Sequence, residues 1–527
     1  MDATEAADDG IMELDSEKAE EFVLDSLDMI LNNYRSIVES KGETFNICHL
    51  TDILRAFALY LYGTDIKRVS MMPPRVADLK LFDAVSERGV ELEEGFHSWR
   101  SVSTVVQGMQ MMSVPISAST LLTAFTAFSK KLCTNERMGP HLENILMLRD
   151  NVNDLVSDMV DSDEVLVPWF TLTTLSSLYG RSVLVTDNNG GDLKNLAMLL
   201  CGAKGIDRSK PLSPSPGGQT RDAILILPVR RGDEDLGVLE WVMDSLPEGD
   251  TLVLVTFPAF NISNETETRN ARESLKKYRI ECQYKIDRGQ FFSTVPLFVT
   301  KIVKSEPRGS VRLLDQIDGL EGSVDQSEFD WNMDMLLHRD DYGKVPSVRL
   351  AEIADLRRGS IVPRSDMAEE HDPDRPVFVR PMDIVDGQIG ERSNLLSIAS
   401  DRYPLAQPGT ILVSCRGDFG RTAIVFEKDS PCVASSNFSL ISPGEEYSRD
   451  YLMAFFKSSY FLLQAKALSV GYLPNLTVQN LSEIRVPIAT EEQQKAVSKS
   501  FKKKRNPDPE DVWKIFTDKL LLQIPHK

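Results

Sequence analysis

The chain has 527 residues, 42% of them hydrophobic, and a formal net charge of -20. That length suits about three domains with ordinary cores, and no apolar run reaches the roughly 18 residues that a membrane-spanning helix needs. The acidic start lacks the basic n-region and apolar core of a signal peptide, so none is expected. Residues 1–60 hold 14 acidic and 4 basic side chains, a solvated acidic head. The six cysteines (Cys48, Cys133, Cys201, Cys282, Cys415, Cys432) are scattered without a CxxC pair. This argues against a disulfide framework or zinc module, and a reducing cytoplasm is the expected setting. Cys48 and His49 are adjacent rather than ligand-spaced, so core packing is expected there and no metal site.

After an acidic lead to about Ser16, apolar residues recur at helical steps. Phe22, Leu24, Leu27, Ile30 and Leu31 form one set. Ile53, Ala56, Leu59 and Tyr60 follow, then Leu121, Leu122, Phe125 and Phe128, then Leu142, Ile145 and Leu146. Met109, Met111 and Met112 read as soft core filler. A helical domain over 1–160 is expected, weaker near 72–100.

The rhythm then changes. Strand-like runs Val183–Thr186, Ala223–Leu227, Leu252–Thr256 and Leu297–Val303 alternate with helical stretches near 193–200, 235–245 and 266–278. That alternation predicts a mostly parallel sheet over 161–305, closed by an antiparallel strand at Leu297–Val303. Residues 306–345 read as a polar linker, partly helical. From 346 to 497 the texture is short strands separated by Gly, Pro and Asp, including "GTILVSC" and "TAIVFE". A helix follows at "RDYLMAFFKSSYFLLQAKAL". The tail 498–527 is helical, broken at Asn506-Pro507-Asp508-Pro509 and resumed over Glu510–Leu522. The fold class is multidomain α/β plus α+β.

The order of segments "VPWFTLTTLSSLYG", "VLVTDNNGGDL", "DAILILPV", "LEWVMDSLPEGDTLVLVTFPAF" and "QFFSTVPLFVTKIV" resembles the modification subunits of type I restriction–modification enzymes. Those are S-adenosylmethionine-dependent N6-adenine methyltransferases with a Rossmann-like sheet. The resemblance implies a glycine motif at Asp187, Gly190 and Gly191 and a catalytic strand ending in Asn-Pro-Pro-aromatic. Here Leu227 takes the Asn position and Arg230 the aromatic one. Leucine accepts no hydrogen bond from an adenine amine, and a guanidinium stands where a ring would stack on the flipped base. Leu193 replaces the second glycine. Between Asp187 and Asp222, "SKPLSPSPGGQT" reads as loop rather than as cofactor-cradling strands. A vestigial methyltransferase-like domain with no catalytic residues and no S-adenosylmethionine is expected.

Residues 346–497 resemble the target recognition domain of type I specificity subunits through "VRLAEIADLRRGSIVP", "FVRPMDIVDGQI", "YPLAQPGTILVSCRGDFGRTAIVFE", "CVASSNFSLISP", "DYLMAFFKSS" and "GYLPNLTVQNLSEIRVPIATEEQQKAV". From Pro346 to Thr490 there are 15 basic and 18 acidic residues, and 12 of the 15 are arginines, the side chain that pairs bidentately with phosphate and guanine. "CRGDFGR" places Arg416 and Arg421 about a tight turn, where pairing to Asp418 is the competing use. Arg357, Arg358 and Arg364 are candidates for tracking phosphate. Ser436 and Asn437 can touch bases or simply bond a turn. Tyr472 and Asn475 sit on a Gly- and Pro-shaped loop. One recognition domain is present where the family usually has two.

The expected function is sequence-specific recognition of double-stranded DNA within a prokaryotic restriction-modification-like defence complex. The partners expected are methyltransferase and/or restriction subunits of the same system. Two other readings stand beside it. One is an active N6-adenine methyltransferase with its own specificity domain. The other is a non-enzymatic assembly protein whose recognition domain binds protein.

Overall fold

The structure is a computed structural model that describes residues 16–63, 72–112, 114–133, 148–169, 171–186, 191–207, 212, 220–227, 233–262, 265–287, 296–337, 345–368, 372–400, 402–469, 475–504 and 507–520. Contacts divide the chain into two units. The first comprises Met1–Thr256, Leu275–Glu281 and Ile286–Glu306, and the second Phe257–Ser274, Cys282–Lys285 and Pro307–Lys527. Among the described residues no helix is long and apolar enough to cross a membrane.

The first unit opens with helices Ser16–Ser40, Ile47–Tyr62, Pro74–Ser86, Trp99–Met111, Ala118–Cys133 and Asp150–Asp158. In the first helix the buried stripe is Val23, Leu27, Leu31, Tyr34 and Val38, while Phe22 is 62% exposed. Steps of four, four, three and four hold one face of a 3.6-residue helix, and Phe22 lies about 100° round from Val23. The expected stripe through Phe22 is therefore corrected. Ile53, Ala56, Leu59, Leu121, Leu122, Phe125 and Phe128 are core as expected. Of the methionine cluster, Met109 is buried and Met111 exposed, because residues two apart on a helix cannot share a face. Cys48 is exposed rather than packed, and His49 beside it is buried. Leu142, Ile145 and Leu146 lie outside the described residues.

Strands follow: β1 (Glu164–Val167), β2 (Ser182–Thr186), β3 (Lys204–Ile206), β4 (Arg221–Ile226), β5 (Thr251–Thr256), β6 (Arg279–Ile286) and β7 (Leu297–Val303). Within the first unit the order is β3-β2-β1-β4-β5-β7. All the pairings from β3 through β5 are parallel, and β7 runs antiparallel to β5. All residues of β1, β4 and β5 are buried, which is why these strands read as continuous apolar runs rather than alternating ones. The four-residue β1 was not expected. Nor was β3, a three-residue strand ahead of the stretch 209–220 read as loop. The sequence order reverses between β1 and β4. Open α/β sheets place ligands beyond the carboxyl ends of the strands at such a reversal.

A polar clamp fixes the opposite end of β4. Asp222 Oδ2 accepts from the amides of Asp161 and Ser162 (2.8 and 3.0 Å), and Oδ1 accepts from that of Thr251 (2.8 Å). Arg221 Nε donates to Glu164 at 2.5 Å and its amide donates to Asp250. Burial, with Asp222 nearby, holds the Asp250 carboxyl above the usual aspartate range.

In the second unit the expected linker holds a hairpin. Strands β8 (Ser310–Asp315) and β9 (Leu320–Asp325) pair antiparallel along all six residues, and β8 pairs parallel with Cys282–Lys285 of β6. The helix Met333–Leu337 follows, and Trp331 is buried against Phe260 and Phe329. Val311, Leu313 and Asp315 point inward, and Asp315 pairs with the buried Lys285 at 2.9 Å. A charge on the inner face made this strand look polar.

The remaining strands are β10 (Ser347–Arg349), β11 (Ala354–Arg358), β12 (Val377–Val379), β13 (Ile384–Val385), β14 (Gln388–Ile389), β15 (Leu396–Ser397), β16 (Ile411–Ser414), β17 (Thr422–Ile424), β18 (Cys432–Ala434), β19 (Phe438–Pro443) and β20 (Arg485–Pro487). The central sheet, β11-β19-β16-β17, is antiparallel. Ile411, Val413, Ile424 and Ile441 face a core completed by Tyr451, Phe455, Phe461 and Phe516. Leu412, Ala423, Val425 and Leu440 face a second core with Val377, Val379, Cys432 and Ala434. Period-two alternation thus serves two apolar faces. The closing helix Pro509–Leu520 buries Val512, Ile515, Phe516 and Leu520 as expected, and Trp513 with them.

Replacing Asp222 with alanine strands three amides without their acceptor, each worth about 1–3 kcal/mol. The expected outcome is a loss of about 3 kcal/mol or more of stability, read as a lowered urea midpoint. Asp222→Asn, which keeps one acceptor oxygen, should fall between the two.

Candidate nucleic-acid interface

Two distant segments of the second unit converge on the guanidinium of Arg358, at the end of β11. Its Nε donates to the Ser436 carbonyl (2.6 Å), Nη1 to the Leu476 carbonyl (3.1 Å) and Nη2 to Asn475 Oδ1 (3.2 Å). Arg416 faces Asn475 across an isolated antiparallel bridge, and the Leu476 amide donates to the Cys415 carbonyl. Gly359 makes the convergence sterically feasible, since a Cβ there would lie 2.1 Å from the Ser435 carbonyl oxygen. The structure therefore brings together Arg358, Arg416, Ser436, Asn437 and Asn475. Arg358 sits at their centre, half-buried, its fork committed to the protein.

The turn Ser435–Asn437 is bonded inward. The Asn437 amide donates to Ser435 Oγ (3.3 Å) and its carbonyl accepts from the Cys415 amide (2.8 Å), while the Ser436 amide donates to the Ser360 carbonyl. Burial holds the Cys415 thiol above the usual cysteine range, against the pull of Arg358.

Around the hairpin tip, Gly417 has φ +70° and the Gly420 amide donates to Asp418 Oδ1 (2.9 Å). Arg421 pairs with Asp418 (3.2 Å) and reaches the Pro381 carbonyl (3.4 Å). Arg357 donates to the Leu405 carbonyl (3.0 Å). Arg364 is exposed on the one-turn segment Arg364–Asp366. Tyr472 lies outside the described residues. Among the described residues, three of the twelve arginines between 346 and 490 have side chains with no hydrogen bond, ion pair or ring partner: Arg364, Arg416 and Arg485. These can meet a phosphate or base edge without first breaking an interaction.

A neighbouring cleft of about 1120 Å³ was not apparent in the sequence. Seven basic side chains, among them Lys428, Arg449, Lys457, Lys502, Lys503 and Lys504, line it against four acidic ones. Lys502 pairs with Asp450 (2.6 Å) and Arg449 lies over the Phe426 ring (5.8 Å). Lys457 Nζ donates to the Gly420 carbonyl (2.6 Å), tying the cleft to the hairpin tip. Burial lowers its pKa, opposed by Asp418 and Asp386. The residues come from positions 385 to 507, so only the "FKKKR" run could have signalled it.

In the first unit, Leu227 continues β4. Its amide donates to the Val255 carbonyl (2.9 Å) and its side chain is 1% exposed. Gly191, with φ +60°, opens the helix Gly191–Cys201. In that first turn the buried Asp192 carboxylate accepts from the amides of Glu93 (2.8 Å) and Glu94 (3.2 Å) and from Arg55 Nη2 (2.5 Å). Asp187, Gly190 and Arg230 lie outside the described residues.

Residues 343–503 match the family described as the type I restriction modification DNA specificity domain. No curated protein matches the chain. Among solved structures, the type IIL restriction-modification enzyme MmeI in complex with DNA aligns at 9% identity over 95% of this chain and 90% of its own, with a TM-score of 0.44. The type IIG restriction endonuclease BpuSI aligns at 11% identity over 93% of this chain and 75% of its own, with a TM-score of 0.40. The HsdS subunit from Thermoanaerobacter tengcongensis aligns at 17% identity over 34% of this chain and 40% of its own, with a TM-score of 0.25.

The geometry separates arginines that hold the fold from those that are available. Arg358→Met should cost about 3 kcal/mol, because three oxygens lose a charged donor. Gly359→Ala should be comparably destabilising. Arg416→Ala, an exposed side chain, should stay within about 0.5 kcal/mol of wild type. Urea unfolding of the three variants checks the ranking.

Proposed function

We propose that residues 346–497 read a double-stranded DNA sequence for a restriction-modification complex, and that the preceding parallel sheet serves as a scaffold without methyl transfer. The observation that carries the reading is the specificity-domain match at 343–503 centred on a cluster whose exposed guanidinium, Arg416, is positioned by a committed one, Arg358. Arg416 stands free for a base edge or phosphate, and Arg364 for phosphate. Arg421 must first leave Asp418. The net charge of -20 repels DNA at long range, so affinity rests on these local cations and on the basic cleft. Binding by the isolated chain is therefore weak and strongly salt-dependent. Specific binding arises once methyltransferase or restriction subunits of the same system add positive charge.

The silent-scaffold part rests on chemistry at the strand ends. Leu227 offers no acceptor to an adenine amine and is packed in the core. The Asp192 carboxylate takes up the donors around the first turn of its helix. Purified protein should neither bind S-adenosylmethionine in calorimetry nor transfer a labelled methyl group to DNA. Transfer that is abolished by mutating Asp187 would establish the enzymatic reading instead.

For DNA, duplexes enriched from a random pool by the assembled complex give the site, and fluorescence titration on that and a scrambled duplex gives the contacts. Arg416→Ala should cost about 1–3 kcal/mol on the selected duplex if it makes a bidentate base contact. Arg421→Ala should cost less, its guanidinium being already paired. A loss shared equally by both duplexes, with a flatter salt slope, marks phosphate contacts. A double variant equal to wild type on both duplexes removes the hairpin tip from the interface.

A further inference from the structure

We propose that Glu43, His49 and His97 of the first unit form a binding site for a divalent transition metal of the zinc class. One carboxylate oxygen and two imidazole nitrogens lie within 4.8 Å of one another. They come from the turn ahead of the helix Ile47–Tyr62, from its first turn, and from the segment ahead of the helix Trp99–Met111.

One pair of the three already stands at ligand spacing. His49 Nε2 and Glu43 Oε2 are 3.4 Å apart, long for an N–H···O bond. Two ligands on one tetrahedral zinc, each roughly 2.0–2.1 Å from it, stand about 3.3 Å apart. The His97 ring meets that of His49 edge-on, with centroids 5.5 Å apart.

The ligands are oriented by contacts that need no metal. His49 is 1% exposed and stacks on Phe45, with centroids 5.1 Å apart. Its Nδ1 lies 2.9 Å from Asn46 Oδ1 and 3.2 Å from the Asn46 amide. Metal-bound histidines hold their second nitrogen on such an oxygen, which fixes the tautomer. With Nδ1–H on Asn46 Oδ1, the Nε2 lone pair points to the site. In the other tautomer the Asn46 amide donates to Nδ1 and Nε2–H faces Glu43. His97 is placed by its backbone, whose amide donates to Asp52 Oδ1 (2.9 Å), while the Ser98 amide donates to Oδ2 (3.0 Å). Asp52 is itself fully buried and paired with Arg55 at 3.0 Å.

An independent observation points to a ligand. The Tyr34 hydroxyl is fully buried and, among the described residues, has no hydrogen-bond partner. Its ring centroid lies 6.5 Å from that of His49. Glu43 and His97 are exposed, leaving an entry path and an open position. The ion would fasten the helix Ile47–Tyr62 to the segment ahead of Trp99.

Full-length protein stripped by a chelator should take up one equivalent of Co(II), with visible d–d absorption, and Zn(II) should displace it and raise the thermal midpoint. His97→Ala and Glu43→Gln, both at exposed positions, should abolish the absorption and the zinc-dependent shift while leaving the metal-free midpoint unchanged. Cys48→Ser, which removes the neighbouring exposed thiol, should retain both. Absence of stoichiometric uptake by wild type, its retention in His97→Ala, or its loss in Cys48→Ser overturns the assignment.

Discussion

The second unit turns on one guanidinium. An arginine presents five N–H donors in a rigid plane and cannot shed its charge, so a half-buried Arg358 demands oxygens fixed in that plane. It finds them on Ser436 and on the adjacent Asn475 and Leu476, two segments far from it in the chain. Meeting that demand draws the turn after β18, the end of β11 and the segment after the helix Ser459–Ala467 into one place. It also restricts position 359 to glycine, because the strand then passes too near the Ser435 carbonyl for any side chain. Arg416 inherits its position from this arrangement and is left unspent. Order at a recognition surface follows from spending one arginine so that another can stand free.

The same logic governs charge. An acidic protein gains nothing from dispersed cations that its own carboxylates neutralise. Several arginines of the second unit are paired in this way, including Arg380 with Asp383, Arg375 with Asp372 and Arg402 with Asp366. Exposed pairs contribute little to stability, but each removes a cation from the field a polyanion would feel. What remains is local. It consists of the unpaired guanidiniums and the cleft where seven basic side chains outnumber four acidic ones. Lys457 joins the two, since its ammonium lines the cleft and caps the Gly420 carbonyl of the hairpin tip.

This division also explains what was legible in the sequence. Strands buried on both faces, such as β4, β5 and β16, announce themselves as unbroken apolar runs and were read correctly. β1 is too short for a pattern, and β8 carries the inward Asp315, whose partner Lys285 is 30 residues away. The hairpin of β13 and β14 had a readable sign. Asp386-Gly387, with φ of +52° and +77°, is the pairing that a two-residue turn with two positive φ values favours. The arginines were the hard case. Arg358 and Arg416 look alike in sequence, and whether a guanidinium is consumed depends on carbonyls that only tertiary contacts bring near. The residue types of the site were legible, but their division of labour was not.

The parallel sheet poses the complementary question of what its ligand-facing ends can do. The order β3-β2-β1-β4-β5 places the reversal between β1 and β4, so Leu227 stands at the position from which such sheets address a ligand. A group that must present an acceptor to a base has to stand clear of the core there. Leu227 instead extends the ladder to Val255 and is buried. The helix after β2 makes the same point from the other side. A helix N-terminus attracts an anion through its unpaired amides and dipole. Here Asp192 places a carboxylate within the first turn of the chain's own helix, with Arg55 and two further amides closing round it. The first turn of that helix thus already holds an anion of the chain's own.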